Sequence, residues 1–232
     1  MSLSRMNDFG QPVGTPVAGV FPRPRPSRSA LPGAFVRLEP LTPDHAPALF
    51  EAFAEDRDGR GWTYLPRGPF KDHADAAAWA AQASASEDPL YFAICAPDGT
   101  PLGFCSYLRI DPANGAIEVG FIHMSPRLQR TPAATEAMFL MMANAFDTLG
   151  YRRYEWKCDA LNTPSRRAAQ RLGFSYEGTF RQAVIVKGRN RDTAWFSVID
   201  SEWPALKARF EHWLDPANFD ADGYQITALG RI

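Results

Sequence analysis

The spacing of apolar positions changes several times along the chain. Phe35-Val36-Arg37-Leu38-Glu39 alternates and predicts a short strand. Thr42-Pro43-Asp44 starts a helix, with Thr42 as cap and Pro43 in the first turn. Ala46, Leu49, Phe50 and Phe53 fall on one face of it. Gly59, Gly61, Pro66, Gly68 and Pro69 mark an aromatic-rich loop, and Asp72 to Ser84 predicts a second helix striped by Ala76, Trp79, Ala80 and Ala83. Strand-like runs follow at Leu90–Ala96, Leu102–Ile110 and Ala116–Met124. The turns between them, at Pro97–Thr100 and Asp111–Gly115, predict an antiparallel meander. Helical spacing returns over Pro132–Leu149 and stops at Gly150. Tyr154–Asp159 reads as a strand and Thr163–Leu172 as a short Arg-rich helix. From Phe174 strand resumes, with Val184–Val186 and Ala194–Ile199 as hairpin arms around a connector at Lys187–Asp192. A last helix, Glu202–Trp213, aligns Trp203, Leu206, Phe210 and Trp213 for packing on the core or on another subunit.

Strands interspersed with helices around a meander predict an α/β fold: a mixed, mostly antiparallel central sheet with flanking helices. The strand–helix–strand unit from Ala116 to Asp159 predicts a right-handed crossover. Residues 1–33 read as an extended arm rich in Pro and Arg, 34–215 as one domain and 216–232 as an irregular tail. The arm suits a path over the surface or a neighbour, or a basic hook for an acidic partner. A chain of 232 residues that is 45% hydrophobic can bury a sizeable core. A net charge of -1 argues against a protein that coats nucleic acid. Cys95, Cys105 and Cys158 are scattered singly, which fits a reducing cytoplasm and gives no zinc signature. No apolar run approaches the roughly 20 residues of a membrane helix, and no secretory signal is evident. A cytoplasmic protein with no membrane contact, and a homodimer as one assembly, are expected.

Candidate chemistry begins at Ser125–Ala137, where a strand runs through a basic loop into a long helix. Thr131 suits the cap and Pro132 the first turn. Unpaired amides and the positive end of the helix dipole lie there. Ala133 and Ala134 would let an anion approach the backbone, and Arg127 and Arg130 add charge. A pyrophosphate site needs these features. The same residues also describe an ordinary capped helix with solvated arginines. The segment lacks the Walker signature. A second segment, Leu161–Phe174, follows the next strand.

Together the two segments resemble the GNAT superfamily of acyl-CoA-dependent N-acetyltransferases, within it the RimJ/RimL-type branch. The family's Q/R-x-x-G-x-G/A motif matches Gln129-Arg130-Thr131-Pro132-Ala133-Ala134, and Thr135-Glu136-Ala137 continues its T-E-A. Asn162 and Ser165 match N-x-x-S, Leu172-Gly173-Phe174 matches the closing L-G-F, and Ile117-Glu118-Val119-Gly120-Phe121 matches the Glu-containing fourth strand. Pro132 departs from the motif's first glycine and removes one N–H donor. The resemblance covers about residues 35–200 and implies transfer of an acetyl group from acetyl-CoA, the co-substrate, to a primary amine without a metal.

It further implies roles for individual residues. Phe121, Ile122, Arg127, Gln129, Arg130, Thr131, Ala133, Ala134, Asn162 and Arg166 would bind the acyl-CoA, with the amides near Gly120–Ile122 polarising the thioester carbonyl. Glu118 would take the amine proton, Ser165 would protonate the leaving thiolate, and Asn162 would hold the pantetheine arm or a water. His123 is a reserve base and Tyr176 a reserve acid, while Cys158 reads as a small buried hydrophobe. Trp62, Tyr64, Phe70 and Trp195 would form an aromatic wall for the acceptor, a protein N-terminus or a small amine. Each residue has a structural alternative: Glu118 on a solvated strand face, Ser165 and Asn162 as first-turn helix residues, the aromatics as core. The basic turn at Lys187, Arg189 and Arg191 is a solvated tip or a contact for the CoA 3'-phosphate or an acidic substrate. Two other functions stand beside transfer. One is a non-catalytic acyl-CoA-binding sensor or assembly module. The other is a nucleic-acid binder using Arg152, Arg153, Arg166, Arg167 and Arg171, which the charge balance disfavours.

Overall fold

In the computed structural model, residues 5–221 and 223–230 are described. An eight-stranded sheet carries the molecule, in the order β3-β4-β5-β6-β7-β8-β10-β9. Its strands are β3 (Leu31–Pro32), β4 (Arg37–Pro40), β5 (Leu90–Cys95), β6 (Pro101–Asp111), β7 (Ala116–Met124), β8 (Arg153–Asp159), β9 (Ser175–Val186) and β10 (Arg189–Ile199). All neighbours pair antiparallel except β7 and β8, which are parallel. The α/β fold with a mostly antiparallel sheet is therefore as the spacing predicts. A separate ribbon pairs β1 (Arg5–Met6) with β2 (Pro12–Val13). The helices are α1 (Ala46–Ala54), α2 (His73–Ala85), α3 (Pro132–Ala143), α4 (Thr163–Arg171) and α5 (Trp203–Trp213).

Strand β5 shows how the sheet divides the interior. All six of its residues are buried. Leu90, Phe92 and Ile94 join a large core with α3 and α5, while Tyr91, Ala93 and Cys95 join a smaller one under α1 and α2. Alternate side chains on a strand point to opposite faces, so a continuous apolar run serves both cores. The face of α5 formed by Trp203, Leu206, Phe210 and Trp213 lies entirely in the large core. Gly173, left-handed at φ +91, ends α4, and a Cβ there would meet Leu206 Cδ1 at 2.5 Å. The L-G-F turn thus ends one helix and admits another.

Three expectations are revised. The hairpin connector is not Lys187–Asp192 but the pair Lys187-Gly188, both at positive φ. Two left-handed residues make the turn that matches strand twist, and Arg189 to Asp192 continue as strand. Helix α3 ends at Ala143, and Asn144–Thr148 widens into a π-turn before Gly150. Pro43–His45 forms a tight turn ahead of α1, with Thr42 N–H donating to His45 Nδ1 at 3.0 Å. The arm is held along the domain: Arg23 N–H donates to the Pro112 carbonyl at 2.9 Å, Arg28 to the Ser86 carbonyl at 2.6 Å, and Leu31–Pro32 pairs with β4.

Candidate active site

The parallel ladder between β7 and β8 runs only from Ala116↔Arg153 to Val119↔Trp156. Beyond it the strands part. On β7, Gly120 faces Ser106 while His123 faces Phe104, so β7 carries one more residue than β6 across this step. The bulge centres on Phe121 at φ +46. Bulges bend a strand and end local pairing. Strand β8 instead stays with β10 through Lys157↔Trp195, Cys158↔Ala194 and Asp159↔Thr193. A wedge therefore opens in the middle of the sheet, bordered by Phe121 and Ile122 on one side and by Lys157–Asp159 on the other.

Helix α3 starts at the end of β7. Thr131 caps it, accepting from Ala134 N–H at 3.2 Å, and its hydroxyl donates to the Leu128 carbonyl at 2.7 Å. Arg130 sits at φ +63. Its amide and those of Thr131 and Ala133 donate to no described residue. Three free donors at a helix start fit an anion despite Pro132. Gln129 folds back along its own loop, its Nε2 donating to the Met124 carbonyl at 2.8 Å. Arg127 is placed differently from expectation: its Nε pairs with Glu55 at 2.6 Å, so α1 already holds it.

The second helix start faces the other arm of the wedge. Asn162 Oδ1 accepts from Ser165 N–H at 3.1 Å. Ser165 Oγ accepts from Trp156 Nε1 at 3.0 Å, which leaves its own O–H to donate. Arg166 donates to the Ala160 carbonyl at 3.1 Å and lies over the Tyr176 ring. The Tyr176 hydroxyl pairs with the Thr179 hydroxyl at 2.8 Å. Burial raises the Cys158 thiol above its ordinary value, so it stays neutral.

Glu118 occupies the last rung but one before the wedge and is 4% exposed, not on a solvated face. Its Oε2 accepts from Lys157 Nζ at 2.8 Å and lies 3.4 Å from Arg109 Nε. Lys157 also donates to Glu155 at 2.6 Å and lies 3.9 Å from the centre of the Trp195 ring. Arg153 extends the chain of charges from Glu155 to Glu177. Burial raises the Glu118 carboxyl above its ordinary value, against the pull of Lys157 and Arg109. Gly120 admits the Leu108 side chain beside it: a Cβ there would meet Leu108 at 2.9 Å and stand 3.5 Å from Glu118 Oε1. The sequence reading omitted Lys157. Its signal is the alternation in Arg153-Tyr154-Glu155-Trp156-Lys157-Cys158-Asp159, which puts Glu155 and Lys157 on one face.

The four aromatic residues do not form one wall. Trp62 and Phe70 are buried in the smaller core and line a cavity of about 340 Å³ with Phe50, Phe53, Asp56 and Pro69. Trp195 stacks on Phe180 beside Lys157 instead. Tyr64 reaches across, its hydroxyl donating to the Leu161 carbonyl at 3.2 Å. Lys187, at the hairpin tip, donates to the Trp62 carbonyl at 2.7 Å and is not a free solvated tip. His123 packs against Phe53 and Trp62, with ring centres 4.3 and 3.9 Å away. Burial pulls its pKa down to about 4, so it is a weak base at neutral pH. Arg153 and Arg171 are committed to Glu177 and Thr135, so these arginines do not form an open stripe for nucleic acid. No helix among the described residues is long and apolar enough to cross a membrane.

Away from the wedge, Glu39, His45 and Cys95 bring their ligand atoms within 4.8 Å of one another. His45 Nδ1 accepts the Thr42 N–H, which puts the ring proton on Nε2, 3.4 Å from Glu39. Burial pushes Cys95 up to about 12. The trio is accounted for by a helix start and a hydrogen bond between His45 and Glu39.

A family model described as an acetyltransferase (GNAT) domain matches residues 36–175. An uncharacterized N-acetyltransferase p20 of Bacillus licheniformis is 31% identical over 102 residues, 44% of this chain and 57% of that protein. The chain spans 57% and 60% of the curated relatives it matches. A GCN5-related N-acetyltransferase from Brucella melitensis is 51% identical, with a TM-score of 0.88, covering 90% of this chain and 96% of that one. RimL, a ribosomal L7/L12 alpha-N-protein acetyltransferase solved with coenzyme A, shares the fold at 19% identity and a TM-score of 0.63, covering 75% of this chain and 99% of that one.

Proposed function

The chain belongs to the GNAT acetyltransferase family, and from that premise we propose that it moves the acetyl group of acetyl-CoA onto a primary amine by direct attack on the thioester. The acceptor is a protein N-terminus or a small amine. The observation that carries this reading is the wedge between β7 and β8, with Glu118 at its last rungs and unpaired amides at the α3 start. The free amides of Arg130, Thr131 and Ala133 would take the pyrophosphate, with Arg130 adding charge. The pantetheine arm would lie in the wedge, where Phe121 and Ile122 offer backbone donors to the thioester carbonyl and Asn162 flanks it.

The amine nitrogen attacks the carbonyl carbon and the C–S bond breaks. The proton leaving nitrogen passes to Glu118 Oε1, directly or through water. The departing sulfur takes a proton through the Ser165 hydroxyl, whose oxygen accepts from Trp156, and a solvent proton replaces the one given up so that no alkoxide remains. The raised carboxyl of Glu118 suits a base working nearer neutral pH. Activity is therefore expected to fall as pH drops through the Glu118 titration.

Calorimetric titration with acetyl-CoA and with its 3'-dephospho analogue comes first, followed by CoA-thiol release across a panel of primary amines. Glu118→Gln is expected to lower kcat by about 10²–10⁴-fold while acetyl-CoA affinity holds. Binding without turnover of any amine would support a non-catalytic module, and no binding would remove the reading.

A further inference from the structure

We propose that Lys157 is a positioning residue for this transfer: it ties down one oxygen of Glu118 and leaves the other as the proton acceptor presented to the amine. The assignment rests on the transferase reading for its function but on local geometry for its substance. The Lys157 side chain is 4% exposed, and its ammonium has three donors. One goes to Glu118 Oε2 at 2.8 Å and one to Glu155 Oε2 at 2.6 Å, and the ammonium as a whole faces the Trp195 ring at 3.9 Å. Such an ammonium cannot wander, and neither can the carboxylate it grips.

The two oxygens of Glu118 are thereby unlike. Oε2 carries Lys157 and lies nearest Arg109, whose backbone N–H is itself fixed by Asp88 at 2.8 Å. Oε1 accepts no hydrogen bond from any described residue and lies beside Gly120, 3.5 Å from where a Cβ there would stand. Gly120 is the first residue past the end of the β7–β8 ladder. The free oxygen therefore lies beside the residue where β7 leaves β8, while the anchored one is held between Lys157 and Arg109. The charged groups around Glu118 are Arg109 from β6 and Lys157 and Glu155 from β8; β10 contributes the Trp195 face. Burial opposes ionisation of Glu118, and a cation in contact restores it. Without Lys157 the carboxyl would hold its proton at higher pH and rotate more freely, losing both the charge and the aim that a base needs.

The test follows the Glu118 carboxyl in the full chain by NMR of isotope-labelled glutamate carboxyl carbons across pH, assigned by its disappearance in Glu118→Gln. Lys157→Met is expected to move its midpoint up by about one pH unit or more. Lys157→Arg, which keeps a cation, is expected to stay near the parent. In turnover assays the acid limb of kcat should move with the carboxyl while the KM for acetyl-CoA does not. An unmoved midpoint in Lys157→Met, or Arg acting like Met, overturns the proposal. Should Lys157→Met not fold, Glu155→Gln decides: with its competitor gone the ammonium grips Glu118 harder, so the midpoint moves down, and an unmoved or raised midpoint overturns the proposal. A parent inactive on every amine removes the transferase reading, while the carboxyl titration still decides whether Lys157 controls Glu118.

Discussion

Glu136 sits in the first turns of α3, inside the Thr135-Glu136-Ala137 stretch that the family motif highlights, yet its carboxylate faces away from the helix start. It is 5% exposed and accepts from the backbone amides of Ala34, Phe35 and Val36 at 2.8, 2.7 and 2.8 Å. The side chain thus nails the beginning of β4 to α3. Glu136→Ala removes all three acceptors. A hydrogen bond to a charged group contributes about 1.5–3 kcal/mol, and a buried donor left unpaired costs about 1–3 kcal/mol. Only the Val36 amide is fully buried; those of Ala34 and Phe35 regain water. Removing a buried carboxylate also relieves its own desolvation. The balance is a loss of about 3 kcal/mol. Glu136→Gln keeps the shape but turns an NH₂ toward N–H donors, so it should cost about 2 kcal/mol rather than rescue. Equilibrium urea unfolding measures both, and hydrogen exchange at Val36 reports the site itself. For a domain this size about 3 kcal/mol appears as a melting shift of about 6–12 °C. A Glu136→Ala protein within about 0.5 kcal/mol of the parent, with Val36 still protected, would refute the clamp.

Other outcomes follow from the same geometry. His123 binds its proton with a pKa of about 4 when folded and near 6.5 when unfolded. The unfolded chain therefore holds more protons between those values, and stability is full above them and falls by about 3 kcal/mol as pH drops through the window. His123→Phe should flatten that limb in urea titrations at successive pH values. Arg130→Ala is expected to weaken acetyl-CoA binding about fivefold in calorimetry, since its side chain is exposed and pairs with no described residue. Arg127→Ala should change affinity less, because Glu55 already holds that guanidinium. Cys95, Cys105 and Cys158 are all buried with thiols raised by burial, so a thiol reagent should label none of them until the protein unfolds.

The apolar run that becomes β5, and the switch to helical spacing at Pro132, are both written in the order of apolar residues. That is why the element order was legible. The Thr131 and Asn162 caps were legible too, because capping depends on residues three apart in sequence. The environment of Glu118 was not. Lys157 is 39 residues away, and the pair forms only because β7 and β8 align in register. The division of the aromatic residues escaped for the same reason: Trp62 and Trp195 both look like loop or strand aromatics, and only the path of the sheet puts one beneath α1 and the other beside Lys157. Positive φ at Lys187 shortened the hairpin turn, and a residue type other than glycine gave no warning of it.

The segment between α1 and α2 is fastened to its neighbours by Tyr64 onto the Leu161 carbonyl and by the Trp62 carbonyl under Lys187. Both bonds end on main-chain oxygen. A carbonyl is present whatever side chain a position bears, so each fastening reads location and ignores residue identity at its accepting end. Over evolutionary time the side chains at the accepting positions can drift while the segment stays moored. The mooring then tolerates substitution at Leu161 and Trp62 and depends only on Tyr64 and Lys187 keeping a donor.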